Sequence, residues 1–231
     1  MANITKQQFI DMCIYFENLI KSNYALKDNE SAYYYFSNIP EFYKYKNSIN
    51  IIRSLRNVYQ HNDTKINGQE AFEVSLAAYR TLKEIIDIVE NPPLVKDCYI
   101  KDIVTATLNS KISDVINIME QRNISHVPVL KDNKLIGVFS ESTIFSKLAN
   151  EEIVGIEENE AIKEYLDYIN VNNHSSETFS FIALNEKLSI VKEMFKNDFI
   201  ENKRLVMLFV TKNGKDNQDI LGILTPWDVI E

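Results

Sequence analysis

The stretch LNSKIS at residues 108–113 returns as LNEKLS at 184–189, 76 residues later. A duplication on this scale constrains the fold more than any other feature of the chain. One copy is too small to bury a sizeable core, so two copies must pack face to face into one compact unit. The residues after each hexapeptide also match. DVINIME and IVKEMFK both read as helices, and each is followed by two β-rich runs, HVPVL with LIGVFS and LVMLFV with ILGILT. Gly137 and Gly222 occupy corresponding places. The turn between the paired runs is short in the first copy (KDNK) and long in the second (TKNGKDNQD). Each copy therefore predicts strand, helix, strand, hairpin, strand and the start of a further helix.

The repeat begins after a break at NPPLVKDC, residues 91–98, where Pro92 and Pro93 end any preceding helix. Before it the periodicity is helical. Residues 5–26, 42–60 and 69–90 carry apolar residues near an i, i+3, i+4, i+7 spacing, and AYYYFSNI adds a shorter piece. Four helices, three of them long, predict an all-α up-down bundle over residues 1–92. Its tyrosines read as core and helix-packing residues. The expected class is therefore α+β, a helical bundle followed by a tandem α/β module. The first repeat is expected over 97–150, a linker helix over 151–177 and the second repeat over 178–231. Within the linker, the acidic run EENEAIKE (157–164) reads as a solvated helix.

Composition excludes several classes. Charged residues make up 25% of the chain and the net charge is −8, which argues against a general nucleic-acid coat. The charge is uneven: residues 43–69 contain Lys44, Lys46, Arg53, Arg56 and Lys65 against Asp63 alone. Cys13 and Cys98 are far apart and suggest neither a disulfide framework nor a zinc site. No stretch approaches the roughly 20 apolar residues needed to span a bilayer, and MANITKQQF has no signal-like apolar run, so a cytoplasmic location is expected. There is no metal-ligand cluster, Gly-rich phosphate loop or nucleophile triad.

Residues 97–231 resemble a pair of CBS domains, a Bateman module. The resemblance is carried by VTATLNSKISDVINIMEQRNISHVPVLKDNKLIGVFSEST in the first copy and by LNEKLSIVKEMF and DILGILTPWDVI in the second. It implies binding of an adenine nucleotide or related adenosyl ligand. The site it implies has a Ser or Thr and, three residues on, an Asp. The hydroxyl and helix start donate to phosphate, and the carboxylate accepts from the ribose hydroxyls. The second copy has Thr225 and Asp228. The first has Ser140 but Thr143 in place of the acid, which cannot accept a bidentate pair from a ribose. A plain helix N-cap with an acid in the first turn is the competing reading of Thr225 and Asp228. His126, just before Pro128, falls where the resemblance places ligand contacts, and a structural histidine is the alternative there. The second copy reads RLVMLFV without the proline, so its base pocket is expected to be more hydrophobic or partly filled. DVIE barely begins a final helix, so a partner subunit in a homodimer is expected to supply packing.

Within the bundle, SLRNVYQH carries Arg56, Asn57 and His61. An R-N-x-x-x-H motif near the end of a long helix resembles the HEPN superfamily, whose members include metal-independent ribonucleases of toxin and phage-defence systems. On a helix Asn57 and His61 share a face, with Arg53 one turn back, while Ile51, Leu55 and Val58 read as the apolar stripe. Cleavage of RNA without metal needs a base, an acid and a cation for the phosphorane. His61 has the side chain for proton transfer, Arg56 for holding a phosphate, and Asn57 for orienting either. The resemblance implies that two subunits pool their motifs in one cleft, with no catalytic cofactor. A solvated helix end, favoured by the macrodipole, is the alternative reading. Together these expectations describe a nucleotide-sensing regulator of a ribonuclease, against a non-catalytic sensor or adaptor whose helices serve dimerisation or docking.

Overall fold

The fold is that of a computed structural model of the 231-residue chain. It describes residues 4–229 apart from 62–64, 68, 152–154, 156, 158, 198 and 201–202, and of residues 61, 65, 69, 70, 197, 199 and 200 only the backbone. The chain divides into two compact units, Met1–Pro92 and Pro93–Glu231.

The first unit begins with α1 (Lys6–Asn23), started by a reciprocal capping box. The N–H of Gln8 donates to Thr5 Oγ1 at 3.2 Å, and the N–H of Thr5 donates to Gln8 Oε1 at 2.9 Å. The short α2 (Ala32–Phe36) and a 3₁₀ turn over Pro40–Tyr45 lead into α3 (Lys46–His61). A small antiparallel hairpin of β1 (Lys65–Ile66) and β2 (Gln69–Glu70) follows, then α4 (Leu76–Glu90). The unit is thus helical with one hairpin, not all-α. The helix expected from residue 69 starts only at Leu76, because 69–70 pair in the hairpin and Ser75 caps the helix by accepting from the Ala78 N–H.

Its core takes Phe9, Cys13, Phe16 and Ile20 from α1, Ile49, Ile52 and Tyr59 from α3, and Leu82, Ile85 and Ile86 from α4. Phe16 meets Phe36 edge-on at 5.3 Å and Phe36 stacks on Phe42 at 4.6 Å. The tyrosines divide: Tyr33, Tyr45 and Tyr59 are buried, whereas Tyr34 and Tyr43 are exposed.

In the second unit the first repeat runs α5 (Ile112–Arg122), β3 (His126–Lys131), β4 (Lys134–Ser140) and α6 (Glu141–Glu151). Asn123 ends α5 in the left-handed conformation (φ 52°) that closes many helices. Asp132 and Asn133 both have positive φ, so two residues reverse the chain between β3 and β4 in a turn matched to strand twist. The strand expected before α5 is reduced to one parallel bridge, Ala106 to Val129.

A short helix, α7 (Leu166–Ile169), leads to the second repeat: β5 (Glu177–Ala183), α8 (Leu188–Asn197), β6 (Phe199–Ile200), β7 (Lys203–Thr211) and β8 (Gly222–Leu224). Here the first strand is full length and parallel to β7, which pairs β8 antiparallel on its other side.

The segments entering the repeats are exchanged. Val95, which leads into the first repeat, is buried with Ile182, Val191, Leu208 and Leu224 of the second. Ile162, Tyr165 and Ile169, which lead into the second, are buried with Ile112, Val115, Val127 and Phe139 of the first. The described part of the acidic run is therefore not a solvated helix. The Ile162 N–H donates to Ser110 O, a 3₁₀ turn spans Ile162–Tyr165, and Glu160 pairs with the buried Lys147. Burial of Ile162 inside the charged run outweighs its polarity, that side chain contributing about 1.5–3 kcal/mol.

Between the repeats lies a third core of Val138, Val206, Met207 and Phe209. Gly137 and Gly222 let the exchanged segments cross closely. A Cβ at Gly137 would lie 2.3 Å from Ile169 O, and one at Gly222 would lie 2.1 Å from Ile100 O.

Candidate functional site

At the end of β8 the chain turns through a 3₁₀ stretch over Pro226–Asp228, with Thr225 extended at its start. One oxygen of Asp228, Oδ2, accepts from both the N–H and the Oγ1 of Thr225, each at 2.7 Å. In this state the pair is a capping box, so the capping reading describes its bonding. Thr225 is also part of a cavity of about 410 Å³. Its walls come from both repeats: Ile100, Ile103, Val104, Ile124, His126 and Pro128 from the first, and Met207, Ile223 and Trp227 from the second. Arg122, Asp102, Asn123 and Ser125 add polar groups. Trp227 is 91% exposed, an unusual setting for the chain's only tryptophan.

The corresponding place in the first repeat is closed. Ser140 and Thr143 are each 1% exposed and bond to one another, the Ser140 N–H donating to Thr143 Oγ1 at 3.0 Å. Ser140 Oγ lies 2.8 Å from Ser142 Oγ, and Ser142 Oγ donates to Glu177 Oε2 at 2.9 Å. Glu177 also meets His126 Nε2 at 3.0 Å and His174 Nδ1 at 3.4 Å. Burial alone would raise the Glu177 carboxyl, but hydrogen bonds from His126, His174 and Ser142 outweigh it and hold the group well below the usual carboxylate range. His126 has both ring nitrogens engaged, Nδ1 with Ser125 Oγ at 2.9 Å and Nε2 with Glu177. It thus connects the second repeat's cavity to the first repeat's closed network. The structure brings Thr225, Asp228 and His126 to one region. Ser140 and Thr143 lie outside that cavity.

Residues 95–150 match the family model described as CBS domain. This segment is a CBS domain. Over 144 residues the chain is 31% identical to cystathionine beta-synthase of Saccharomyces cerevisiae, a stretch that covers 59% of this chain and 27% of the yeast protein. The match therefore spans about a quarter of that relative's length. Among solved structures, the chain is similar to a CBS domain pair in complex with 5′-methylthioadenosine and S-adenosyl-L-methionine. That match has 23% identity, covers 60% of this chain and 93% of the other, and has a TM-score of 0.40. A second is a putative acetoin utilization protein from Vibrio cholerae, with 20% identity, 59% and 87% coverage and a TM-score of 0.44.

Ser140 and Thr143 were among the residues singled out in the sequence, whereas Glu177, His174 and Ser142, which bond around them, were missed. A signal was available: counting 76 residues back from Glu177 reaches Lys101, so the two repeats carry opposite charges at one position.

In the helical unit Arg56 is not displayed on an open face. Its Nη2 lies 3.0 Å from Glu17 Oε1 and 3.2 Å from Oε2, and its Nη1 donates to Asn57 Oδ1 at 3.3 Å. The periodicity explains why. The buried face of α3 is Ile49, Ile52 and Tyr59, whereas Ile51 is 60% and Val58 36% exposed. Arg56 falls between Ile52 and Tyr59 on that buried stripe, and a half-buried guanidinium there needs an acidic partner. Arg53, Arg56 and Asn57 line a cavity of about 260 Å³ with Glu17, Lys21 and Tyr33. His61 is the last residue of α3, and its side chain lies outside the described residues. Burial pushes the Cys13 thiol up to about 11, which makes it a packing residue and not a nucleophile. Among the described residues no group of acidic, His or Cys side chains is placed to hold a metal, and no helix is long and apolar enough to cross a membrane.

Proposed function

We propose that the paired repeats bind an adenine-type nucleotide and regulate the helical unit according to its occupancy. The observation that carries this reading is the cavity shared by both repeats. Its volume of about 410 Å³ lies in the range of small-molecule sites, it has apolar walls for a base, and Thr225 sits on it beside Asp228. On binding, Thr225 exchanges its bond to Asp228 for one to a phosphate oxygen, and Asp228 is released to accept from the ribose hydroxyls. Arg122 supplies a positive charge at the same cavity. The regulatory step is a population shift: the ligand favours whichever arrangement of a homodimer binds it better.

The regulated activity in this reading is metal-independent RNA cleavage by the HEPN-like unit, with Arg56, Asn57 and His61 from two subunits in one cleft. Grouping of Arg53, Arg56 and Asn57 at one cavity supports it. A second reading, a non-catalytic sensor whose helices dock a partner, is favoured by the ion pair of Arg56 with Glu17, which already commits the proposed phosphate-binding cation.

Because Trp227 is the only tryptophan and lines the cavity, its fluorescence reports binding directly. Titration with AMP, ATP and S-adenosylmethionine is expected to quench it saturably, and an unchanged signal with all three removes the nucleotide reading. RNA cleavage in EDTA by the wild type and by His61→Ala, each with and without nucleotide, separates the two activities. Loss in the variant supports the ribonuclease, and no cleavage in any condition leaves the docking reading.

A further inference from the structure

Two repeats of one design imply two equivalent ligand sites. At the second, the turn residues Thr225 and Trp227 line an open cavity. At the first, the residue in the place of Trp227 is Ser142, and its hydroxyl already has a carboxylate bound to it, that of Glu177 at 2.9 Å. Two imidazoles complete the cradle, His126 Nε2 at 3.0 Å and His174 Nδ1 at 3.4 Å. Glu177 belongs to β5 of the other repeat and so arrives with the exchanged segment, as Ile100 and Val104 arrive at the second site.

We propose that the first site carries its own anion: the Glu177 carboxylate occupies it, and the pair takes one nucleotide per chain, at the second repeat. The proposal rests on reading the second cavity as the nucleotide site.

The chemistry of the cradle supports it. A hydroxyl and two ring nitrogens converging on one group form an anion-binding set, and here the anion is covalently part of the chain. Its local concentration is fixed by folding, so a free nucleotide would have to displace an intramolecular competitor. Thr143 then has no ribose to hold, and its hydroxyl instead closes onto Ser140 and onto Val138 O at 3.4 Å. In the first copy the residue 76 positions before Glu177 is Lys101, whose Nζ lies 5.4 Å from the Tyr99 ring centroid. A lysine at that position has no carboxylate to offer in a ligand's place, where Glu177 supplies one. His126 belongs to both places, so filling the cavity and holding Glu177 draw on the same ring.

Isothermal titration of the full chain with AMP, ATP and S-adenosylmethionine, each separately, tests the proposal. One equivalent per chain is expected in the wild type, retained in Ser142→Ala and lost in Asp228→Ala. Two equivalents, or one that survives Asp228→Ala and disappears in Ser142→Ala, overturns the single-site assignment while leaving nucleotide binding intact. No heat with any of the three overturns the nucleotide reading itself. An arm independent of any nucleotide uses Glu177→Ala with sodium acetate. Acetate is expected to raise the melting temperature of the variant by several degrees more than it raises that of the wild type, at matched ionic strength. Equal shifts in the two proteins mean that the cradle does not bind a carboxylate, and the proposal fails. If Glu177→Ala does not fold, the titration decides alone.

Discussion

The two repeats share an order of elements and differ in what the turn after the second hairpin strand faces. In the second repeat Thr225 and Asp228 bond to one another beside an open cavity. In the first, Ser140 and Thr143 also bond to one another, but the next polar group outward is a carboxylate and not solvent. The helix and the hairpin after it recur in both copies, while the charge at the matching position of the arriving segment is reversed, from Lys101 to Glu177. Under the single-site proposal, a duplicated fold would keep its architecture and change its binding capacity by one side chain delivered from the other copy.

The largest effect that would break this comparison is expected at Glu177. Replacing it by Ala leaves one buried and one half-buried imidazole and a hydroxyl without their acceptor, at a cost of about 3 kcal/mol, read from urea denaturation. The equivalent change Lys101→Ala, at an exposed position, is expected to stay within about 0.5 kcal/mol. Equal losses at the two positions would mean that Glu177 is no more embedded than its counterpart.

The stabilising role of Glu177 also has a pH signature. Its folded-state pKa is depressed below the ordinary value of 4.5, so its contribution is fully present above that value and is lost as pH falls through the folded one. The difference in urea midpoint between the wild type and Glu177→Gln should persist from neutrality to about pH 4.5 and close only in stronger acid. A gap that has already closed by pH 6 would contradict the placement of the anion.

Somewhat smaller, and alike in both copies, are the expected costs of Gly137→Ala and Gly222→Ala. Each Cβ would overlap a backbone carbonyl of the exchanged segment, costing about 1–3 kcal/mol. Similar melting shifts for the two would show that the crossings are equivalent, which sharpens the contrast at the sites. A stability change of about 1 kcal/mol, for a lost cap, is expected for Asp228→Ala, together with at least a tenfold loss of nucleotide affinity. Thr143→Ala should leave that affinity unchanged.

Much of the fold was legible because it is local. Alternation, turn residues and the returned hexapeptide place the helices and hairpins of the second unit, and Asp132-Asn133 even specifies the turn type. The features that escaped reading depend on partners distant in sequence. Glu177 meets His126, 51 residues away, and no spacing rule connects them. Along α3 the helical period is plain but its phase is not. Ile49, Ile52 and Tyr59, with Leu55 packed beside them, define the face that α1 and α4 bury, while Ile51 and Val58, which the apolar pattern also offered, stay exposed. That choice turned Arg56 from an open cation into the partner of Glu17. The acidic run misled for a related reason: its average polarity hid Ile162, whose burial is set by the first repeat.

The exchanged segments carry a last consequence, for how such a unit can be inherited and expressed. Neither repeat owns a complete interior, since Val95 fills one and Ile162, Tyr165 and Ile169 fill the other. A lone repeat would have to borrow its missing arm from another molecule, and its folding would then depend on protein concentration. Tandem linkage turns that encounter into an intramolecular one at fixed effective concentration. The two copies are therefore expected to fold and melt as one cooperative body, and a chain severed between them should recover its structure only when both fragments are present together.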